Sequence, residues 1–126
     1  MAGSKKILLI EDDVMIRELY KTTLVNSQFS VETAENSDEA YLKLKNFNPD
    51  VIFLDVMLPG LSGFDILKEL RTNPVHGCQK TFIILLTNLA QRTVTDNAIE
   101  SGADGYIIKS DILPTDLPKL ILSLDD

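Results

Sequence analysis

Short apolar runs alternate along the chain with longer stretches in which apolar and polar residues share a helical period. Lys6–Ile10 (KILLI) is apolar almost throughout, as expected for a strand buried on both faces. Over residues 13 to about 27, Val14, Leu19, Tyr20 and Leu24 fall along one side of a predicted helix. Ser30–Ala34 (SVETA) alternates and is weaker, which suits a sheet edge. A helix over residues 37–46, capped by Ser37, turns Ala40, Tyr41 and Leu44 inward. Residues 51–54 form the next buried run, followed by a helix from about 62 to 71 and a buried strand over 82–86. A helix from about 90 to 101 stops at Gly102, and Gly105–Ile108 supplies the fifth strand. Pro114 and Pro118 fit only a first helical turn, so the last helix starts near Thr115 and is about nine residues long.

Strict strand–helix alternation implies a parallel sheet covered on both faces, because parallel strands need crossover connections. Right-handed crossovers make the expected fold α/β, a doubly wound five-stranded sheet in the order 2-1-3-4-5, the flavodoxin-like (βα)5 arrangement. The 126 residues are one ordinary domain, expected over residues 5–124. Residues 1–4 are small and polar and read as a tag remnant or a disordered N-terminus. At this length a core forms without a disulfide or structural metal. The single cysteine, Cys78, and the lack of a secretory signal point to the cytoplasm. A net charge of −7 with no long basic run argues against direct contact with nucleic acid or membranes.

In such a sheet, ligands bind beyond the carboxyl ends of the strands, where the winding reverses. Glu11, Asp12 and Asp13 follow the first strand, Asp55 the third, Thr87 the fourth and Lys109 the fifth. Each has a plain explanation taken alone. Asp12 or Asp13 can cap a helix, Asp55 and Thr87 can be turn residues, and Lys109 can be a surface lysine. Four strands delivering such residues to one rim argue for one site. Carboxylates about 5 Å apart repel by roughly 3 kcal/mol at an effective dielectric near 20. A divalent cation relieves this, and an all-oxygen donor set suits Mg²⁺, with Mn²⁺ able to take its place. With Lys109, the charges of Glu11, Asp12 and Asp55 then balance. Such a site is equipped for phosphoryl transfer to an aspartate nucleophile, and no glycine-rich nucleotide loop follows the first strand.

From about Lys6 to the last helix, the chain resembles the response-regulator receiver domains of two-component signalling. The resemblance rests on ILLIEDD, VIFLDVMLPGLSG, IILLT and GADGYIIKS. It implies that Asp55 accepts a phosphoryl group from a histidine kinase, a histidine phosphotransfer protein or a small phosphodonor. It implies Mg²⁺ held by Asp12 and Asp55 directly, by Glu11 through water, and by the backbone carbonyl of Met57. Thr87 and Lys109 would bind the phosphoryl oxygens, with Thr87 and Tyr106 as the switch. A downstream effector would read the face built by the fourth helix, fifth strand and fifth helix. Such a chain is a signalling phosphoacceptor that catalyses only its own phosphorylation and slow dephosphorylation.

The chain departs from the family at Ser110, where proline is usual, and at Asn88, where a small residue is common. Apolar Met57 and Leu89 do not orient an attacking water, which favours a long-lived phosphorylated form. Pro59, Gly60 and Gly63 are expected to shape a tight turn that leaves Asp55 accessible. His76 and Cys78 lie in a polar connection and read as a solvated loop histidine and a residue without a role. Competing readings are a degenerate receiver serving as a static docking module and a haloacid-dehalogenase-like phosphatase. The phosphatase would need an acid at position 57, and a flavodoxin-like flavin carrier would need a hydroxyl-rich phosphate loop.

Overall fold

The computed structural model of the chain describes residues 5–88 and 100–124. Five parallel strands, β1 (Lys6–Ile10), β2 (Ser30–Ala34), β3 (Val51–Asp55), β4 (Phe82–Thr87) and β5 (Gly105–Ile108), form one sheet in the order β2-β1-β3-β4-β5. The helices are α1 (Val14–Asn26), α2 (Ser37–Leu44), α3 (Gly63–Thr72) and a C-terminal helix, Asp116–Ser123. The expected architecture is present. The helix predicted over about 90–101 falls largely outside the described residues, as do Leu89 and residues 1–4. Among the described residues, no helix is long and apolar enough to cross a membrane.

Alternation along the strands divides the core into two layers. Leu8, Ile10, Ile52, Leu54, Ile83 and Leu85 face α2 and α3, where Ala40, Leu44, Ile66, Leu67 and Leu70 close that side. Ile7, Leu9, Val51, Phe53, Ile84 and Leu86 face α1 and the C-terminal helix, against Tyr20, Leu24, Leu117 and Ile121. Each fully buried Leu or Ile contributes about 1.5–3 kcal/mol relative to exposure. The central strands are apolar on both sides because both sides are covered.

Several boundaries differ from the sequence expectation. β3 and β4 each extend one residue further, since Asp55 pairs in register with Leu86 and Thr87 with Ile108. A run of apolar side chains marks burial, whereas the ladder needs only extended backbone, so it continues through a polar residue. On α1 the inward stripe is Ile16, Tyr20 and Leu24, spaced by four, while Val14 and Leu19 are 59% and 52% exposed. Leu19 lies about 100° around the helix from Tyr20, too far to share its face. The cap of α2 is Asn36 rather than Ser37, because extended Asn36 directs Oδ1 to the amide of Glu39 at 2.9 Å. That helix ends two residues early, as Lys45 and Asn46 close onto carbonyls three residues back. His76 is not a solvated loop residue. Its ring stacks on Tyr41 with centroids 4.7 Å apart, and Nε2 lies 2.8 Å from Glu69 Oε2.

Two further features fix the ends of the elements. Ser62 and Asp65 form a capping box that starts α3 directly after the turn following β3. At the other end of α3, Arg71 donates to the carbonyls of Cys78, Thr81 and Gly102 and to Asp104 Oδ2 at 2.7–2.9 Å. Gly102 has φ +101°, the left-handed conformation expected of a residue that stops a helix. In the C-terminal helix Pro118 occupies the third position, where its missing N–H costs no intrahelical bond. Asp116 Oδ2 accepts from the Leu113 amide at 2.8 Å and secures the turn leading in.

Candidate functional site

The carboxyl ends of β1, β3, β4 and β5 meet at one rim. Asp55 is the last residue of β3 and is 4% exposed. Its Oδ1 accepts from the Met57 amide at 2.9 Å, and its Oδ2 lies 2.8 Å from Lys109 Nζ. Glu11, one residue beyond β1, is 1% exposed and forms an ion pair through Oε1 with the same ammonium. Its Oε2 accepts from the Asp13 amide at 3.2 Å. Asp12 is exposed, while Asp13 turns away to cap α1, accepting from Met15 N at 2.9 Å and Ile16 N at 3.2 Å. Of the two neighbouring aspartates, the capping one is Asp13.

One carboxylate oxygen each from Glu11, Asp12 and Asp55 lie within 4.8 Å of one another. Three carboxylates and no nitrogen or sulfur donor make a set suited to a hard divalent cation. Among the described residues the only ammonium paired with Glu11 and Asp55 is that of Lys109. Burial, followed by the hydrogen bond with Asp55, pushes the Glu11 carboxyl up to about 7, against the opposing pull of Lys109. For Lys109, burial acts to lower the pKa, but hydrogen bonds to Asp55 and Glu11 outweigh it and hold the ammonium above its usual range.

The turn after Asp55 is shaped by backbone requirements. Gly60 has φ +79°, a conformation that disfavours other residues. Gly63 has an ordinary φ, but a Cβ there would lie 2.7 Å from Val56 Cα and inside contact distance of the Asp55 carbonyl. Its amide donates to Val56 O at 2.9 Å, so α3 begins tight against the strand end that carries Asp55. A side chain at position 63 would displace that strand end.

Thr87 ends β4, is 1% exposed and is paired in register with Ile108, the residue before Lys109. Tyr106, on β5, is 42% exposed, and Met57 is 62% exposed. Asn88 is exposed beside Thr87. Every peptide bond among the described residues is trans, that between Lys109 and Ser110 included, and Lys109–Asp111 forms a 3-10 turn. The structure therefore brings Glu11, Asp12, Asp55 and Lys109 together, with Thr87 at the neighbouring strand end. Tyr106 stands apart at the surface. One contributor went unmarked in the sequence: Arg17, whose Nη1 donates to the Glu11 carbonyl at 2.9 Å. Its only sequence signal is a cation placed one turn after the cap of a helix that opens on an acidic triplet.

The response regulator receiver domain family matches the chain over residues 7–121. The transcriptional regulatory protein ResD of Bacillus subtilis is 35% identical over 82% of this chain and 41% of its own length. The phosphate regulon transcriptional regulatory protein PhoB of Rhizobium meliloti is 33% identical over 92% of this chain and 48% of its own. The chain thus spans less than half the length of these curated relatives. A solved structure of the chemotaxis response regulator CheY4 of Vibrio cholerae superposes with a TM-score of 0.84 at 29% identity, covering 95% of this chain and 98% of that one.

Proposed function

The chain belongs to the response regulator receiver domains of two-component signalling, and from that premise we propose that Asp55 is its phosphoacceptor. The donor is the phosphohistidine of a histidine kinase or phosphotransfer protein, or a small acyl phosphate. The observation that carries this reading is the placement of Asp55 at the end of a central strand, 2.8 Å from the Lys109 ammonium and clustered with two further carboxylates. In the transfer an Asp55 oxygen attacks phosphorus and forms an acyl phosphate. The bond from phosphorus to the donor nitrogen or oxygen breaks, and its electron pair leaves with the donor.

Glu11, Asp12 and Asp55, with the Met57 carbonyl, would hold Mg²⁺, or Mn²⁺ in its place. A bound cation supplies neutralisation of charge spreading over the phosphoryl oxygens. The remaining work belongs to the chain itself. Lys109 keeps its proton, because its carboxylate partners hold the ammonium above its usual range, and it offers that charge to the incoming group. The Thr87 hydroxyl donates to a phosphoryl oxygen once one is present, and Tyr106 follows the volume that Thr87 vacates. An effector protein or domain then reads the face that includes β5 and the C-terminal helix; the expected fourth-helix part of that face lies largely outside the described residues. Direct nucleic-acid or membrane contact forms no part of this reading, given a net charge of −7.

The test is incubation with acetyl phosphate and Mg²⁺ followed by intact mass. A single phosphate adduct that is absent in Asp55→Asn supports the reading. Absence of any adduct on the wild-type chain favours a static docking module. Sustained hydrolysis of phosphomonoesters favours a phosphatase.

A further inference from the structure

Glu11 is held through every polar group it has. Its amide donates to Ala34 O at 2.9 Å, its Oε1 meets Lys109, and its Oε2 accepts from the Asp13 amide. The fourth group, its carbonyl, accepts from Arg17 Nη1 at 2.9 Å. The sheet does not supply that bond, since the pairings of β1 with both neighbours end at Ile10. A buried carbonyl past the end of a ladder needs a donor from elsewhere, and here Arg17 supplies it. The peptide plane of that carbonyl joins Glu11 to Asp12, so its orientation sets where the Asp12 carboxylate projects. Arg17 is itself braced, with its side chain 15% exposed and Nη1 3.9 Å from Glu35 Oε2 across the rim.

We propose that Arg17 is a positioning residue for divalent-cation binding, fixing the Glu11–Asp12 peptide so that Asp12 faces Asp55. The inference rests on the cation reading of the Glu11–Asp12–Asp55 cluster given above. Bare electrostatics requires the opposite effect, because removing a positive charge beside three carboxylates strengthens their attraction for a cation. The sign of the change in affinity therefore separates positioning from charge.

The experiment is calorimetric titration of Mg²⁺ into the wild-type chain, Arg17→Met and Arg17→Lys, with melting temperature in metal-free buffer read alongside. Arg17→Met is expected to weaken Mg²⁺ binding about tenfold, the scale typical of groups that orient metal ligands. Arg17→Lys keeps a charge and a donor and should recover part of that loss. Unchanged or tighter binding in whichever variants remain folded overturns the inference, as does a lowered melting temperature with unchanged affinity. Normal wild-type binding accompanied by either of those results sinks this inference alone. A wild-type chain that binds no Mg²⁺ overturns the cation reading and this inference together.

Discussion

The Glu11 carboxyl, held up to about 7 in the folded chain, returns to its ordinary 4.5 on unfolding. Between those values the native state binds a proton that the unfolded chain does not. Stability in metal-free buffer is therefore greatest below the lower value and falls as pH rises through the upper one, by up to about 3 kcal/mol. Glu11→Gln cannot titrate, so urea midpoints should show a wild-type-minus-variant difference that declines with pH across this window. A flat or rising difference contradicts the upward shift that burial, and then the bond with Asp55, impose on Glu11. Asp12→Ala should raise stability in the same buffer by about 1 kcal/mol, repulsion at an exposed position being partly screened. Excess Mg²⁺ should reverse that order if Asp12 is a ligand of the proposed cation site. A clear loss of stability without metal would tell against the repulsion. These carboxylates and Lys109 were legible in the sequence because each lies within two residues of the carboxyl end of a strand. Arg17 and His76 were not, since their partners are a main-chain carbonyl in one case and residues from two separate helices in the other.

At the scale of elements, the strands could be read closely because burial on both faces leaves few polar interruptions. Their last residues could not, since Asp55 and Thr87 stay in the ladder while presenting polar side chains. Helix ends depend on one hydrogen bond, and adjacent candidates such as Asn36 and Ser37 look equally suitable in sequence. The structure selects Asn36, whose Oδ1 reaches the Glu39 amide. Asn36→Ala should therefore cost about 1 kcal/mol in denaturant unfolding, while Ser37→Ala should stay within about 0.5 kcal/mol. Equal losses at both positions would return the cap to a shared role. On α1, chemical similarity among Val14, Leu19, Tyr20 and Leu24 concealed which lie inward, because an apolar side wider than the buried stripe leaves the helix phase undetermined.

For the whole molecule, strand order followed from alternation and crossover handedness, since few topologies satisfy both. Nothing comparable encodes the cross-links between distant segments. Arg71→Ala would leave the carbonyls of Cys78, Thr81 and Gly102 without its guanidinium, and the expected loss is about 2–4 kcal/mol by thermal or denaturant unfolding. A change below about 0.5 kcal/mol would show that solvent replaces those bonds freely. Arg71 grips the approaches to β4 and β5 at the amino ends of these strands, opposite the rim that carries Asp55 and Lys109. These two strands are thereby clamped at the foot like a pair of reeds set in a block. Should Asp55 take up a phosphoryl group as proposed, the displacement is expected at the carboxyl ends of β4 and β5, since their amino ends are tied to Arg71.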